Sequence, residues 1–487
     1  MSTAPLNDPP RRTKLLLGAL VALSLLATFA IAAFLVTIAR HKQESDQPYF
    51  KVVEITDTTV DPAEWGKNFP LQYAAYKQTV SNGATKYGGE TMVKHTPTAE
   101  DPRTEVPTSK LDREPRLRDM WAGYAFAEDY REARGHEWML TDQRLTARVA
   151  HYKQPGTCIN CHASTYTVFN EQGDGDQIKG FDKVNHMTYA EATKLFDHPI
   201  ACIDCHEPST MKLRVTKPAF ITGIKALKAS QGIKDFDPNK DATPIEMRSF
   251  VCGQCHVEYY FEGQGKTLTF PWTEGLTIED EYKTQTDHID WTHATTDAKM
   301  LKAQHPDFET WSQGIHAKNG VSCADCHMPY KREGATKISD HWVRSPLATA
   351  ETINTTCLTC HKASADEMKN RAETIQDEFM KSKDIAFTAV ADLIDDLEKA
   401  KTDGTNAANI KNAQLFQRKA SYYLDYAESE NSTGFHAPAY SQRILGEATY
   451  AARQGQLALQ GKVTEPKALD VTGDDSKLPL PASLTEK

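Results

Sequence analysis

The sequence has no cysteine outside one repeated motif. Each of its ten cysteines lies in one of five Cys-x-x-Cys-His pentapeptides, which leaves none for a disulfide, a zinc site or a thiol nucleophile. An excess of positive charge is also missing, because the formal net charge of the 487-residue chain is −10. This balance gives no reason to expect nucleic acid or an anionic membrane surface as a partner. If the substrate is an anion, a local basic site must attract it.

Apolar residues are modest in number, at 39% of the chain, but one uncharged run extends from Leu15 to Ala39 after Arg11, Arg12 and Lys14. It is longer than the apolar core of a cleaved signal and long enough to span a bilayer. The positive charges before it favour an N-terminus inside and a body outside. A retained anchor is the preferred interpretation. The alternative is a cleaved signal, for which Ala30-Ile31-Ala32 offers small residues to a peptidase; both interpretations export the body.

The five pentapeptides are the strongest chemical pattern in the chain. Each is an attachment site for c-type haem, where two thiols bond to the haem vinyl groups and the adjacent histidine takes one axial position on the iron. The sequence therefore predicts five covalently attached haem c groups, which supply an apolar interior of their own. In chain order, the attachment residues are Cys158, Cys161 and His162; Cys202, Cys205 and His206; Cys252, Cys255 and His256; Cys323, Cys326 and His327; and Cys357, Cys360 and His361.

Histidine is abundant, with 17 residues, of which the five motifs use only some. Histidine commonly supplies the second axial ligand in multihaem cytochromes, so part of the surplus is expected to close the irons from the other side. The function depends on whether every iron is closed, that is, has protein ligands at both axial positions. A chain with only closed irons would carry electrons, whereas an iron with a free axial position could bind a substrate and catalyse a reaction.

The predicted fold is mainly α, a multihaem cytochrome c fold with a loop-rich haem core and long C-terminal helices. Predicted segments are an N-terminal signal or anchor with its linker (1–48), a pentahaem core (49–362), a C-terminal helical region (363–461) and a flexible tail (462–487). A capping box at Ser364–Glu367 opens a helix to about Lys401. Apolar spacing predicts two more helices, from about Ala407 to Ser429 and from about Ser441 to Leu459.

The order and spacing of the motifs, together with several longer segments, resemble the ammonia-forming cytochrome c nitrite reductases, which are pentahaem periplasmic enzymes. The resemblance extends from about Trp121 to the third C-terminal helix. The segments that carry it are Trp121-Ala122-Gly123-Tyr124, Arg134-Gly135-His136, Cys255-His256-Val257-Glu258-Tyr259-Tyr260, Lys302-Ala303-Gln304-His305, Gly314-Ile315-His316, Cys326-His327-Met328-Pro329 and Gly434-Phe435-His436.

The resemblance implies four distal ligands: His341 for the second haem, His136 for the third, His436 for the fourth and His316 for the fifth. The first haem is then left with an open face. Many members of the family have lysine as the proximal ligand of this haem, where the present chain has His162. The axial ligand is one of the protein's main levers on haem potential, so this difference bears on the electronic tuning of the active iron.

The resemblance also implies the surroundings of the open iron. Arg148, Tyr259 and His305 match the family's active-site residues, and an arginine fork suits a small anion such as nitrite. Glu258, the carbonyls of Tyr259 and Lys302, and the side chain of Gln304 match a site for one Ca²⁺, a cation that prefers oxygen ligands. A cation held there would position the two active-site side chains beside it.

The activity implied by the resemblance is the six-electron reduction of nitrite to ammonium in the periplasm, with hydroxylamine and sulfite as further substrates. A membrane-bound multihaem quinol dehydrogenase is the expected electron donor, and the C-terminal helices are expected to form a homodimer interface. These helices could instead pack only on their own haem core. One alternative function is a bis-histidine electron carrier in which a spare histidine such as His151 closes the first haem. Another is the same scaffold acting on a different nitrogen or sulfur compound.

Overall fold

A computed structural model describes residues 11–45 and 51–464. Two compact units are present, one up to Glu54 and one from Ile55 onward. In the first unit, helix α1 (Arg11–Ser45) contains a stretch from Leu15 to Ile38 that is long and apolar enough to cross a membrane. A signal sequence has the same properties, so both interpretations of this segment remain. Part of the predicted linker (46–48) and most of the predicted tail (465–487) lie outside the described residues.

The haem-motif region of the second unit is built from short helices, because proline, glycine and capping residues interrupt the chain repeatedly. For example, the Thr243 side chain and Pro244 start the helix that ends at the third motif. The α-helices of this region are α2 (Pro62–Asn68), α3 (Pro70–Lys77), α4 (Lys110–Arg113), α5 (Arg116–Met120), α6 (Met139–Arg144), α7 (Ala147–His151), α8 (Ile159–His162), α9 (Tyr166–Gln172), α10 (Gln177–Asn185), α11 (Tyr189–Ala192), α12 (Cys202–Cys205), α13 (Pro218–Ser230), α14 (Pro238–Asp241), α15 (Pro244–Gly253), α16 (Ile278–Thr284), α17 (Asp307–Gln313), α18 (Ile315–Lys318), α19 (Cys323–His327) and α20 (Ala350–Thr355). Short 3₁₀ turns lie at Gln78–Val80, Ala125–Ala127, His136–Trp138, Gly156–Cys158, Thr193–Leu195 and Cys357–Thr359.

The strands pair into small antiparallel sheets of two strands each. Three of these pairs lie next to predicted site residues: one begins directly after Tyr259, one ends just before Lys302, and one ends just before His341. The strand pairs are β1 (Met92–Lys94) with β2 (Glu105–Pro107), β3 (Tyr260–Glu262) with β4 (Thr267–Thr269), β5 (Trp291–Thr292) with β6 (Lys299–Met300), and β7 (Tyr330–Glu333) with β8 (Thr336–Ser339).

Three long helices follow the last motif: α21 (Ala365–Ala400), α22 (Ala407–Ser429) and α23 (Pro438–Leu459). Ser364 caps the first of them by accepting a hydrogen bond from the backbone N–H of Glu367. The prediction of a mainly α fold with few strands and long C-terminal helices is confirmed. The third helix begins three residues earlier than predicted, because Pro438 suits the first turn of a helix.

The apolar stripe of α21 is buried within the chain, where Phe379, Val390, Leu393 and Leu397 are each at most 2% exposed. They belong to a hydrophobic cluster that joins all three C-terminal helices to α5, α16 and the β5–β6 pair. A second cluster contains Ile159 of the first motif. The stripe that suggested a dimer interface is therefore used inside the subunit, and the predicted domain boundaries and homodimer stay predictions.

Candidate active site

The five motifs form a chain of neighbours in space. The thiols of Cys161 and Cys255 interact directly, which brings the first motif against the third. Those of Cys252 and Cys323 also interact, which brings the third motif against the fourth. The motif cysteines are mostly half-buried, and each motif presents its two cysteines as a pair for covalent attachment.

Three pairs of histidine rings face each other at nearly the same distance. The ring centroids are 6.0 Å apart for His206 and His341, 6.3 Å for His327 and His436, and 6.4 Å for His316 and His361. Two imidazoles that bind one metal ion from opposite sides, with bonds of about 2 Å, have centroids roughly 6–6.5 Å apart. The spacing therefore fits an iron between the rings of each pair.

The third motif has a different ring neighbour. The ring of His256 lies 6.5 Å from that of His305, at an interplanar angle of 62°. Burial lowers the pKa of His136, the expected distal ligand, to about 4, and the charges of His256 and His327 contribute to the same shift. His136 is therefore close to the third and fourth motifs, while His305 occupies the ring contact with His256.

Arg148 lies on helix α7 and is held by Asp129. The carboxylate of Asp129 accepts a hydrogen bond from the backbone N–H of Ala147 at 2.8 Å, and its carbonyl accepts one from Nη1 of Arg148 at 2.8 Å. The guanidinium also lies over the ring of Phe126, 4.0 Å from its centroid. Burial raises the pKa of Cys158 to about 12, and the charge of Arg148 opposes this rise. The guanidinium thus lies close to the first motif.

Two tyrosines also adjoin the first motif. Burial raises the pKa of Tyr259 well above 10, with contributions from Cys161 and Cys158. Burial has the same effect on Tyr124, whose pKa also responds to Cys158 and Arg148. Tyr124 is stacked on Trp291 with a centroid distance of 4.7 Å. Both hydroxyls are therefore protonated near neutral pH.

His305 lies between the first and third motifs. Burial lowers its pKa to about 3, and the charges of His256 and His162 contribute to the same shift. The imidazole is therefore neutral near pH 7. Its Nδ1 is buried and has no hydrogen-bond partner among the described residues, while its carbonyl accepts a hydrogen bond from the backbone N–H of Asp307 at 2.7 Å.

The residues expected to bind calcium are brought together and buried. Oε2 of Glu258 accepts a hydrogen bond from the backbone N–H of Gln304 at 2.6 Å, and Nε2 of Gln304 points to the carbonyl of Lys302 at 3.4 Å. The Lys302 ammonium is turned away to Asp425, at 2.9 Å, in a pair that is almost fully buried. The Lys302 charge is thus already paired, and the Lys302 carbonyl lies beside the Gln304 side chain.

Two further buried carboxylates adjoin Glu258. Oε1 of Glu309 accepts hydrogen bonds from the backbone N–H of Glu258 at 3.0 Å and from the indole N–H of Trp272 at 2.8 Å. Within the described part of the chain, Oε2 of Glu309 and both carboxylate oxygens of Glu281 lack hydrogen-bond partners. Burial raises the pKa of all three carboxyls. This oxygen-rich, acidic set fits a hard cation.

Sequence reasoning missed several residues around the site: Tyr124, Phe126, Asp129, Glu281, Asp307, Glu309 and Glu430. Glu309 follows His305 at the spacing of one helical turn, which is a weak signal. Asp307 lies two residues after His305, and Tyr124 lies in a segment that carries the resemblance. The fold brings the remaining residues to the site. His151, the spare histidine considered as a ligand of the first haem, is paired with Glu128 and its side chain is 62% exposed.

Known proteins are similar to this chain over most of its length. The chain is 36% identical over 449 residues to cytochrome c-552 of Bacteroides fragilis, a match that covers 90% of this chain and 83% of the relative. It is 33% identical over 456 residues to the cytochrome c nitrite reductase subunit NrfA of Nitratidesulfovibrio vulgaris, covering 88% and 83% of the two chains.

A solved structure has a similar fold. It is the catalytic subunit NrfA of the cytochrome c nitrite reductase from Desulfovibrio desulfuricans, which has two calcium sites. The TM-score is 0.73 and the identity 29%, with 84% of this chain and 88% of that chain covered. The expected multihaem cytochrome fold is thereby confirmed, as is haem c as the cofactor of the five motifs. The model of the cytochrome c552 family matches residues 61–483, and this chain belongs to that family.

Proposed function

We propose that this protein reduces nitrite to ammonium at the first haem and that the other four haems bring the electrons. The observation that carries the proposal is the convergence of Arg148 and His305 on the first motif: the charge of Arg148 helps to lower the pKa of His162, and His162 helps to lower the pKa of His305. The similarity to nitrite reductases from two organisms supports it. The bound haem iron would supply the coordination site and the electrons of the reaction.

Arg148 binds and orients the anion. One of its N–H groups is used by the Asp129 carbonyl, and the remaining N–H groups of the fork are available to the nitrite oxygens. Because the guanidinium lies against Phe126 and close to Tyr124, it acts in a partly dehydrated environment. Its attraction for an anion is stronger there than in water.

His305 and Tyr259 supply hydrogen bonds and protons. Reduction of nitrite to ammonium consumes protons at each N–O cleavage, so donors must lie beside the substrate. The unpartnered Nδ1 of His305 can form a hydrogen bond with a substrate oxygen. The raised pKa of Tyr259 keeps its hydroxyl protonated, and therefore able to donate.

We further propose that one Ca²⁺ is bound by Glu258, Gln304 and the carbonyls of Tyr259 and Lys302. The buried acidic set described above supports this site, since a cation would offset its charge. Glu258 adjoins Tyr259 and Gln304 adjoins His305, so the cation would fix two active-site side chains through their neighbours. The proposed distal haem ligands are His341, His136, His436 and His316, and ring spacing supports three of these assignments.

The proposed setting is the periplasm, with a membrane-bound multihaem quinol dehydrogenase as electron donor. The apolar helix between Leu15 and Ile38 supports export, either as a signal or as an anchor. A homodimer is proposed from the resemblance alone, because the apolar stripe of α21 is used within the subunit. Sedimentation of the exported body would test the dimer.

The deciding experiment measures nitrite turnover by Arg148→Ala and His305→Ala with an artificial electron donor. Each variant should lose at least roughly tenfold in activity, the size of a lost transition-state hydrogen bond, and should keep five haems. Arg144→Ala is the matched control, because Arg144 binds Thr193 and the Phe196 carbonyl at an exposed position. Near wild-type rates in both active-site variants would remove the proposed site.

Spectra test the alternative function, an electron carrier in which every haem iron has two protein ligands. One high-spin ferric haem that binds nitrite or cyanide is expected in the resting protein, and wholly low-spin haems would contradict the proposal. His305→Ala should keep every low-spin haem, whereas His136→Ala should open one. Comparison of turnover with nitrite, hydroxylamine and sulfite then identifies the preferred substrate.

A further inference from the structure

Six of the nine proposed axial histidines fall into two groups according to the partner of Nδ1, the ring nitrogen that does not bind iron. In one group this partner is a backbone carbonyl oxygen at 2.9–3.0 Å, and its members are His162, His206, His327 and His341. In the other group the partner is a buried carboxylate. Oδ2 of Asp307 accepts a hydrogen bond from Nδ1 of His256 at 2.9 Å. Oε1 of Glu430 lies 2.6 Å from Nδ1 of His436 in an ion pair that is not aligned as a hydrogen bond.

The two carboxylates form one unit between the third and fourth motifs. Asp307, Glu430 and His436 have ligand atoms within 4.8 Å of one another. Asn431, the neighbour of Glu430, donates its backbone and side-chain N–H groups to Asp307 at 2.8 and 2.7 Å. The acid pair therefore connects the proximal histidine of the third haem with the distal histidine of the fourth.

Both carboxylates are buried and receive their other hydrogen bonds from neutral donors. Asp307 is 7% exposed and Glu430 is 5% exposed. Among the ion pairs of the described residues, each of them pairs with its histidine and with no lysine or arginine. The other donors to Glu430 are Ser432 and the backbone N–H of Gly434, which are neutral. The nearby charged or titratable groups are His305 and Cys323.

A carboxylate at Nδ1 changes the iron ligand in two ways. Where it accepts a hydrogen bond from Nδ1, as Asp307 does from His256, it makes the imidazole a stronger donor, as in other carboxylate–histidine–metal arrangements. Its negative charge in a low-dielectric interior also favours the more positive state of a nearby group. Both effects stabilise the ferric haem over the ferrous haem. A carbonyl partner orients the ring without a full negative charge.

We propose that Asp307 and Glu430 are positioning and tuning residues that lower the reduction potentials of the third and fourth haems. Asp307 acts through His256 on the third haem, and Glu430 acts through His436 on the fourth. The second haem is the internal reference, because both of its proposed ligands face backbone carbonyls. Since the third motif adjoins the first, a low-potential third haem gives electrons a downhill step to the reaction site.

This inference rests on the axial ligands assigned under the proposed function. Its test is a redox titration of the full-length haem-loaded protein, followed through the low-spin ferric signals in electron paramagnetic resonance. Asp307→Asn and Glu430→Gln should each make one low-spin haem easier to reduce. A tenfold change in the oxidised-to-reduced ratio at fixed potential is expected, which is about 59 mV for a one-electron couple. The potential of the second haem should stay unchanged.

Glu447→Gln is the matched control, because Glu447 is a buried carboxylate whose ion pairs are with Arg443 and Lys419 in the C-terminal helices. It should leave the third and fourth haems unchanged. Unchanged potentials in both test variants, with low-spin coordination retained, would overturn the inference. If Asp307→Asn fails to assemble, Glu430→Gln decides alone, since His436 is the one histidine with which Glu430 forms an ion pair among the described residues.

A separate variant distinguishes failure of this inference from failure of the ligand assignment. His436→Ala should convert one low-spin haem to high spin. If all low-spin haems persist in His436→Ala, the assignment of the fourth haem is wrong and the tuning argument fails with it. If one haem is converted while the two carboxylate variants titrate like wild type, only the tuning inference is wrong.

Discussion

The guanidinium of Arg148 lies over the ring of Phe126, with Cζ 4.0 Å from the ring centroid. The same ring is stacked nearly parallel to Tyr124, at an interplanar angle of 6°. The aromatic face thus fixes the plane of the guanidinium, while the Asp129 carbonyl fixes one of its N–H groups. A cation held on an aromatic ring is stabilised by about 0.5–2 kcal/mol, so this contact bears directly on how well Arg148 is positioned for an anion.

Phe126→Leu should therefore raise the KM for nitrite. The expected increase is roughly 3- to 30-fold, the range that corresponds to the loss of one cation–aromatic contact. Steady-state kinetics with an artificial donor measures it. Phe181→Leu is the control, because Phe181 forms an edge-to-face pair with Phe169 in the other hydrophobic cluster. Equal KM values in the two variants would show that the Phe126 ring does not position Arg148.

Glu309 should set the affinity for calcium without binding substrate. Its carboxylate accepts the backbone N–H of Glu258 at 3.0 Å and adds negative charge beside the proposed cation. Loss of such a supporting group commonly costs roughly 10- to 100-fold in metal affinity. Glu309→Gln should therefore need that much more free Ca²⁺ to recover activity after treatment with a chelator, with all five haems retained.

Glu447→Gln provides the comparison for this experiment. Glu447 is also a buried glutamate, but it pairs with Arg443 and Lys419 in the C-terminal helices. Its substitution should leave the calcium dependence of activity at the wild-type value. An unaltered calcium titration in Glu309→Gln would place Glu309 outside the cation site.

Much of the site could be predicted from the sequence, because its residues lie in segments that carry the family resemblance. His341, His436 and His316 each face the motif histidine expected from the resemblance, with ring distances of 6.0–6.4 Å. Asp307 and Glu430 carry no such signature. Their relationship depends on a contact between Asp307 and Asn431, 124 residues apart. Local periodicity contains no information about a contact of that range.

The C-terminal helices are a second case in which local sequence patterns predict only part of the structure. Their boundaries followed from capping and apolar spacing, which are local properties. The partner of the apolar stripe on α21 is not a local property, because a helix with one apolar face looks the same whether it packs against its own chain or a second copy. The structure packs Leu393 and Leu397 against the subunit's own helices.

His293 should make stability depend on pH. It is fully buried, and its Nε2 donates to the Asp119 carbonyl at 2.8 Å while Nδ1 accepts from the backbone N–H groups of Thr295 and Thr296. Burial lowers its pKa below the usual 6.5. Below pH 6.5 the unfolded chain therefore binds a proton that the folded chain resists, and stability falls as the pH drops.

The measurement compares the apparent Tm of wild type and His293→Gln between about pH 7.5 and pH 5.5. Wild type should lose stability more steeply on acidification, by up to about 1.4 kcal/mol per pH unit from this one group. The glutamine variant should be less stable at the higher pH and show a shallower slope. Parallel slopes would mean that His293 takes up its proton equally in both states.

Gly314 should control the coordination of two haems at once. A Cβ built on Gly314 would lie 2.1 Å from the carbonyl oxygen of His436, and Gly314 immediately precedes the segment that carries His316. Gly314→Ala must therefore push apart two backbones that present the proposed distal ligands of the fourth and fifth haems. The expected result is a loss of low-spin signal from one or both haems, measured by electron paramagnetic resonance, with covalent haem content unchanged. Gly446→Ala is the control: apart from the nearby backbone of its own helix and its chain neighbours, no atom of the described residues lies within 4 Å of its added Cβ. Alanine in helix α23 should stabilise the protein by about 0.5–1 kcal/mol. If Gly314→Ala keeps four low-spin haems, the two loops have enough freedom to separate without moving their histidines.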